Sequence, residues 1–268
     1  MRLASITIDR NSFMFNPTNC SPLVAVGSVS SFEGAMSPIS SPFQVANCST
    51  LGFGPKLSAS TSSKHSKANG ESLTTKLAFP KAPFGSQANI TKVKVELPKQ
   101  LPSRLSTLQK ACVAAVFEAD PSHCPAGSVV GHATARTPVL PVPLAGPAYL
   151  VSHGGEAFPS LTLVLSGYGV TVDLVGTTLI RNGITSTTFK TVPDVPVSSF
   201  ELSLPKGPHS VLTGIGNICK KPLLMPTVFY GQNGKQLASN TKITATGCKK
   251  AHRKSKHRKP KHHNKRKK

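Results

Sequence analysis

Apolar and polar residues alternate along most of the chain, and this alternation predicts β-strands. The longest alternating stretch runs from Gly146 to His209, and a shorter one places Val93, Val95 and Leu97 between polar residues. Twenty-three prolines and twenty-one glycines divide the chain into short segments, which is typical of many short strands and excludes a long helical bundle. The pattern therefore predicts a mainly β fold with a β-sandwich-like domain.

One segment departs from this alternation and predicts a short helix. Its apolar residues recur at spacings of three and four, which places them on one helical face. The helix is expected to begin after Pro102 and to end before Pro121. Its apolar positions are Leu105, Leu108, Cys112 and Val116.

Changes in composition divide the chain into four parts. We interpret residues 1–57 as the C-terminal part of a truncated β module, because they hold only short apolar runs. Residues 58–72 are polar and rich in turn-forming residues, which predicts a linker. Residues 73–248 hold the main alternating stretches and form the predicted β-sandwich-like domain, and residues 249–268 form a basic tail.

Six cysteines fall into three pairs that are local in sequence. Fifteen connectivities exist for six cysteines, and pairing within each segment is favoured. Zinc binding is disfavoured because no Cys-x-x-Cys motif occurs, and a nucleophilic cysteine would have only His123, beside Cys124, as its base. Disulfides persist in oxidising compartments, so they indicate an extracytoplasmic location. The favoured pairs are Cys20 with Cys48, Cys112 with Cys124, and Cys219 with Cys248.

The positive charge is concentrated at the C-terminus. Twelve of the 32 Lys and Arg residues lie in residues 249–268, which contain no acid, and they supply more than half of the net charge of +22. Because this tail is almost devoid of apolar residues, we expect it to be disordered and to bind an anionic cell-wall polymer or membrane surface. It lacks aromatic residues for base stacking, which argues against specific nucleic-acid recognition; a tail that serves only solubility is the alternative. The predicted polyanion-binding residues are Lys249, Lys250, Arg253, Lys254, Lys256, Arg258, Lys259, Lys261, Lys265, Arg266, Lys267 and Lys268.

The sequence SHGGE at residues 152–156 is the one segment that resembles an active-site motif. Its HGG part resembles the oxyanion-hole loops of esterases, and Ser152, Asp173 and His209 could supply a Ser/His/Asp set. No Gly-x-Ser-x-Gly nucleophile elbow occurs, so we interpret the segment as a tight turn between strands and predict no catalytic residue. The functional hypothesis for this region is a binding rim formed by His153, Glu156 and His209.

Asp173 stands between Val172 and Leu174 in an apolar strand, and alternation directs its side chain away from the core. The ten acidic residues are spread over different segments, which offers no carboxylate pair for acid–base catalysis. The sequence therefore predicts neither a metal site nor a cofactor.

The first residues, MRLASITIDRNSFMF, mix polar residues into every apolar run and do not form a signal peptide. No run of roughly 18 apolar residues occurs that would predict a membrane span. Because the cysteine pattern nevertheless indicates export, we expect the chain to begin inside a longer exported protein. The predicted location is extracellular or at the cell surface.

Five stretches between residues 94 and 248 carry a resemblance to a known kind of module: LPKQLPSRLSTLQKAC, CPAGSVVGHATARTPVLPVPLAGPAYLVSHGG, FPSLTLVLSGYGVTVDLVG, FKTVPDVPVSSFELSLPKGPHS and MPTVFYGQNG. Together they resemble a β-rich repeat module of large secreted or surface-exposed proteins of high-GC Gram-positive soil bacteria. The resemblance implies a β architecture outside the cytoplasm and no enzyme activity.

These observations predict a non-enzymatic extracellular or cell-surface protein with a structural or adhesive role, tethered by its tail to anionic envelope polymers. Two alternatives stay open. One is a nucleic-acid-associated basic protein of the cytoplasm. The other is an esterase-like hydrolase that uses the loop of Ser152, His153, Gly154 and Gly155.

Overall fold

A computed structural model describes residues 5–9, 14–83 and 85–248, and it confirms the mainly β fold. The described residues form fourteen β-strands and two short α-helices. The strands are β1 (Leu23–Ser30), β2 (Met36–Phe43), β3 (Lys56–Ser62), β4 (Leu73–Ala78), β5 (Ile90–Glu96), β6 (Cys112–Val113), β7 (Val129–Arg136), β8 (Leu144–Ser152), β9 (Ser160–Gly167), β10 (Val170–Arg181), β11 (Ile184–Phe189), β12 (Ser199–Leu204), β13 (Leu223–Gly231) and β14 (Gln236–Thr246), and the helices are α1 (Leu105–Leu108) and α2 (Ala114–Ala119).

Eleven of these strands close into a barrel. The order around the ring is β8-β7-β12-β4-β3-β14-β13-β5-β11-β10-β9, and β9 pairs again with β8. Among the described pairs of the ring, only β14 and β3 run parallel. Closure gives each of the eleven strands a neighbour on both sides, so the ring formed by the described residues has no edge strand. The predicted sandwich-like packing is thus achieved by opposite walls of one closed sheet.

Alternation along the strands decides which side chains fill the barrel. Leu161, Leu163 and Leu165 of β9 point inward, as do Val172 and Leu174 of β10. Neighbouring positions on each strand point to the outer face, because successive side chains alternate. The predicted alternation from residue 146 to residue 209 therefore corresponds to five strands, β8 to β12, that supply much of the barrel wall.

Two connecting segments fill one end of the barrel, which we call the closed end. Residues 97–111 and 205–222 pair with each other there: the Arg104 amide donates to the Val211 carbonyl at 2.7 Å, and the Thr213 amide donates to the Pro102 carbonyl at 3.0 Å. Five of their apolar side chains are buried and continue the barrel core: Leu101, Leu108, Val211, Leu212 and Ile218. The opposite end, here the loop end, carries the connections 79–89, 137–143 and 190–198.

The single predicted helix is wrong in one respect, because the structure has two short helices separated by a strand. α1 ends at Leu108, and Cys112 and Val113 form β6, which pairs in parallel with the end of β8. Cys112 is fully buried against the outer face of β8, beside Phe117 and Tyr149. Helices this short have little intrinsic stability, so burial of Cys112 in the sheet outweighs the helical periodicity of its neighbours.

The predicted linker over residues 58–72 is also wrong in its first part, because residues 56–62 form β3. This strand pairs with β4 on one side and β14 on the other, so the barrel begins before residue 73. The side chains of β3 are mostly small and polar, and only Ala59 and Thr61 are buried. Backbone hydrogen bonds to both neighbours therefore fix this strand in spite of its composition.

The assignment of residues 1–57 to a truncated module stays a prediction. Within this range, β1 and β2 form a separate, largely exposed hairpin.

All three favoured disulfides are confirmed: Cys20 with Cys48, Cys112 with Cys124, and Cys219 with Cys248. Three disulfides indicate an oxidising environment. No helix in the described ranges is long and apolar enough to cross a membrane. The predicted disordered tail, with its twelve cations, lies outside the described residues.

Candidate functional site

The proposed Ser/His/Asp set is not assembled by the fold. Ser152 ends β8 next to the Val151–Ser160 pair, whereas Asp173 lies opposite Val164 on the far side of β9. Four residues along β9 separate these two positions, which corresponds to about 13 Å. Asp173 is exposed on the outer face, as alternation predicts, and partial desolvation there raises the pKa of its carboxyl group.

The segment of residues 152–156 connects β8 to β9 at the closed end, as the sequence predicts. Gly154 and Gly155 both have positive φ, near 80°, a conformation that favours glycine. Glu156 Oε1 accepts a hydrogen bond from the His153 amide at 2.7 Å, and backbone hydrogen bonds lower the pKa of this exposed carboxyl group. Glu156 thus closes the turn through one of its carboxylate oxygens.

The predicted binding rim is brought together only in part. His153 and Glu156 share one turn, and His209 lies at the same end of the barrel in a different segment, 205–222. Among the described residues, no hydrogen bond or ion pair joins His209 to the other two. The rim around these three residues therefore stays a prediction.

A cleft of about 470 Å³ lies beside residues 205–222 at the closed end. We call it the cationic cleft, and its lining residues are Lys64, His65, Ser66, Asn69, Lys206 and Gly207. No acidic residue from the described ranges lines it, and both lysines are exposed. Sequence reasoning missed this cleft, although the closely spaced Lys64, His65 and Lys67 were a visible signal in a stretch taken for a linker.

Hydrogen bonds fix the walls of the cationic cleft. The Lys206 ammonium donates to Ser62 Oγ at 2.9 Å and to the Lys64 carbonyl at 3.0 Å. His65 Nε2 donates to the Gly216 carbonyl at 2.9 Å, since a carbonyl oxygen can only accept. The two segments that form the cleft, residues 62–72 and 205–222, are thereby held together with their cations facing solvent.

The chain reaches the cationic cleft again just before the basic tail. Thr246, at the end of β14, accepts a hydrogen bond from the Ser63 amide at 2.7 Å. Cys248 is then bonded to Cys219, which is followed by the exposed Lys220 and Lys221. Thr246 is therefore fixed beside Ser63, the residue before Lys64, and the described chain stops two residues later at the same end of the barrel as the cleft.

A second feature is an apolar cavity of about 220 Å³ inside the barrel. Leucine, valine and phenylalanine side chains from most of the strands line it, together with four uncharged polar residues. No charged side chain of the described residues is among them. The polar members are Thr75, Asn89, Thr137 and Thr187.

Residues 190–198 cover the loop end of this cavity. Val192, Pro193 and Val195 of this segment line it. Between them, Asp194 turns outward and accepts five hydrogen bonds at 2.6–3.2 Å, two each from Thr18 and Asn19 and one from Asn89. Partial burial opposes ionisation, but these donors outweigh it and lower the pKa of the Asp194 carboxyl group. The Asp194 carboxylate thus fastens the N-terminal segment to the loop end, together with the Asn89 backbone amide, which donates to Thr18 Oγ1 at 2.9 Å.

Sequence reasoning missed Asp194 because its donors are remote, Thr18 being 176 residues away. The visible signal was a lone carboxylate within the apolar, proline-rich VPDVP. Among the described residues, no group of three or more His, Cys, Asp or Glu side chains could hold a metal ion.

No protein-family model matches the chain, and no curated protein matches it at a significant level. The functional assignment therefore depends on the geometry of the closed end and of the cavity.

Proposed function

We propose that this is a non-enzymatic extracytoplasmic protein that attaches to anionic polymers of the cell envelope through the closed end of its barrel. The observation that carries the proposal is the place where the described chain stops: Thr246 bonds to Ser63 next to the cleft residue Lys64, and Cys248 two residues later is held by its disulfide to Cys219. Twelve cations follow Cys248 directly in the sequence. The cleft therefore lies at the end of the barrel where the described chain stops, and the basic sequence follows that point directly. The three disulfides support a location outside the cytoplasm.

The chemistry of the cleft suits an extended polyanion. Exposed lysines offer point charges that bind phosphate or carboxylate groups without demanding one geometry. Each basic residue near an anionic surface contributes on the order of 1 kcal/mol at low salt. The tail therefore supplies most of the affinity, and Lys64 and Lys206 add contacts on a rigid surface.

The test measures retention of the protein on isolated Gram-positive cell walls over a salt series from about 50 mM to about 1 M. Deletion of residues 249–268 should lower strongly the salt concentration that releases half of the protein. In the protein without residues 249–268, the double variant Lys64→Gln/Lys206→Gln should lower this salt concentration further. Walls stripped of their anionic polymers serve as the surface control.

A matched variant separates the cleft from net charge alone. Lys56→Gln/Lys81→Gln removes two exposed lysines at the loop end and should leave the release concentration nearly unchanged. If both double variants weaken retention equally, the cleft has no specific part in binding. Salt-insensitive retention that survives tail deletion would refute the proposal as a whole.

The cytoplasmic nucleic-acid alternative makes the opposite prediction for the cysteines. A protein isolated from the cytoplasm would carry six free thiols, whereas we expect none to react with a thiol reagent before reduction. Thiol counting on protein from its native source therefore distinguishes the two functions.

A further inference from the structure

We propose that the barrel binds one uncharged lipophilic small molecule in its apolar cavity, and that this binding is independent of the tail and the cationic cleft. The cavity lies inside the barrel and is enclosed by inward-facing side chains of several strands, among them β4, β5, β9, β10 and β12. The proposal is based on the composition of its lining, its volume and the structure of the loop end.

The lining determines the chemical class of the ligand. Leu163, Met225 and Phe229 are almost fully buried in the barrel, and they line the cavity with other apolar residues and a few threonines. No lysine, arginine, histidine or acid of the described chain reaches it. An ionised group would enter without a partner, and burial of an unpaired charge is strongly unfavourable. The ligand is therefore neutral.

The volume determines the size of the ligand. An apolar protein cavity of about 150 Å³ holds benzene. By that scale, a cavity of 220 Å³ holds about nine non-hydrogen atoms. A medium-chain alcohol or a compact bicyclic hydrocarbon has this size, whereas a long fatty acid or a sterol does not.

The number of strands explains why the barrel interior contains a cavity. A barrel of about eight strands is just wide enough for side chains to fill, and the diameter grows with the number of strands. This barrel has eleven strands, and small residues such as Ala135 and Thr187 point into it. Leu101, Leu108 and Leu212 fill the closed end and do not line the cavity, whose lining extends to residues 192–197 at the loop end.

The loop end provides the route of entry. The segment of residues 190–198 contributes Val192, Pro193 and Val195 to the lining, yet the backbone around Pro193 and Val195 is exposed on its other side. Movement of this segment would open the cavity without breaking the strand pairs of the barrel. The hydrogen bonds of Asp194 hold the segment in its closed position.

The test uses 1-octanol, which has nine non-hydrogen atoms, and measures binding to the full chain by isothermal titration calorimetry. We expect one site, a dissociation constant on the order of 100 µM or tighter, and a negative heat-capacity change. Octanoate at pH 8 is the matched charged probe, and we expect it to bind about 100-fold more weakly or not at all.

Variants place the binding site inside the barrel. Ala135→Leu adds bulk on the inner face of β7 and should weaken 1-octanol binding at least about tenfold. Thr134→Leu makes a similar addition on the outer face of the same strand and should leave binding within about twofold. Leu163→Ala enlarges the cavity and should move the preferred alcohol toward chains longer by about three carbon atoms.

Each outcome decides for or against the proposal. Saturable binding of 1-octanol that responds to Ala135→Leu, or to Leu163→Ala if the first variant does not fold, supports it. Absence of 1-octanol binding, equal binding of octanoate, or identical behaviour of the inner and outer variants overturns it. Retention on cell walls is unaffected by any of these results, so failure here is distinguishable from failure of the polyanion proposal.

Discussion

Replacement of Asp194 by alanine should release the N-terminal segment around Thr18 and Asn19 from the loop end of the barrel. The carboxylate accepts five hydrogen bonds, and its donors come from these two residues and from Asn89. Thr18 and Asn89 are both buried, so their donors would be left without an acceptor. Asp194→Ala therefore removes the main polar connection between the first residues and the barrel.

The expected cost can be worked out from those donors. A buried donor that loses its partner costs about 1–3 kcal/mol. Two buried residues lose their acceptor and the site is only half-buried, so we expect about 3 kcal/mol. If the opening is local, hydrogen exchange of the Thr18 and Asn19 amides should become about 100-fold faster. Exchange at Met225, in β13, should change little.

The measurement is hydrogen exchange of the two amides combined with urea unfolding of the whole chain. Asp173→Ala is the matched control, because it removes an exposed carboxylate from the outer face of β10. Unchanged exchange at Thr18 and Asn19 in Asp194→Ala would refute this account of the loop end. Equal effects of the two variants would show that net charge, and not the hydrogen bonds, is responsible.

The same site predicts a pH dependence with a defined sign. The pKa of Asp194 is lower in the folded protein than in the unfolded chain. Its contribution is therefore fully present above the unfolded value of about 3.9, and it is lost as pH falls through the folded value. The stability difference between wild type and Asp194→Asn should accordingly shrink below about pH 4. A difference that grows on acidification would contradict this assignment.

Two further predictions concern the barrel wall. The double variant Cys112→Ala/Cys124→Ala should lose about 3 kcal/mol of stability in urea unfolding, because this disulfide closes a short loop in the unfolded chain; a loss well below about 1 kcal/mol would contradict it. Gly146→Ala should be destabilised by about 1–3 kcal/mol, since its Cβ would collide with the Val164 carbonyl oxygen of β9. Gly54→Ala meets only Pro80 at ordinary contact distance, so equal thermal shifts for the two glycine variants would refute the steric reason.

Local sequence patterns were sufficient for several features of the fold. Alternation directs Asp173 outward and Val172 and Leu174 inward, because successive side chains of a strand lie on opposite faces. The disulfide pairs could be inferred because each pair lies within one short stretch of chain. The turn at residues 152–156 was predictable because two adjacent glycines permit positive φ.

Local sequence patterns could not predict the features of the fold that depend on residues far apart in the chain. β3 is a strand because β4 and β14 supply hydrogen bonds on both sides, and its own small polar side chains give no such signal. Cys112 leaves the helical pattern because β8 offers it a buried position. Both cases show pairing partners outweighing local preference.

By itself, the sequence determined that this protein is mainly β, that its cysteines pair locally and that its charge is concentrated in the tail. These properties depend on composition, on the alternation of neighbouring residues and on cysteines no more than 29 residues apart. Only the tertiary structure decided that the sheet closes around an apolar cavity and that Asp194 accepts hydrogen bonds from Thr18 and Asn89. It also decided that Lys206 contacts Lys64 at the end of the barrel where the described chain stops. The physical reason is that each of these arrangements is made by contacts between residues far apart in the chain, whose pairing depends on the register of the whole barrel.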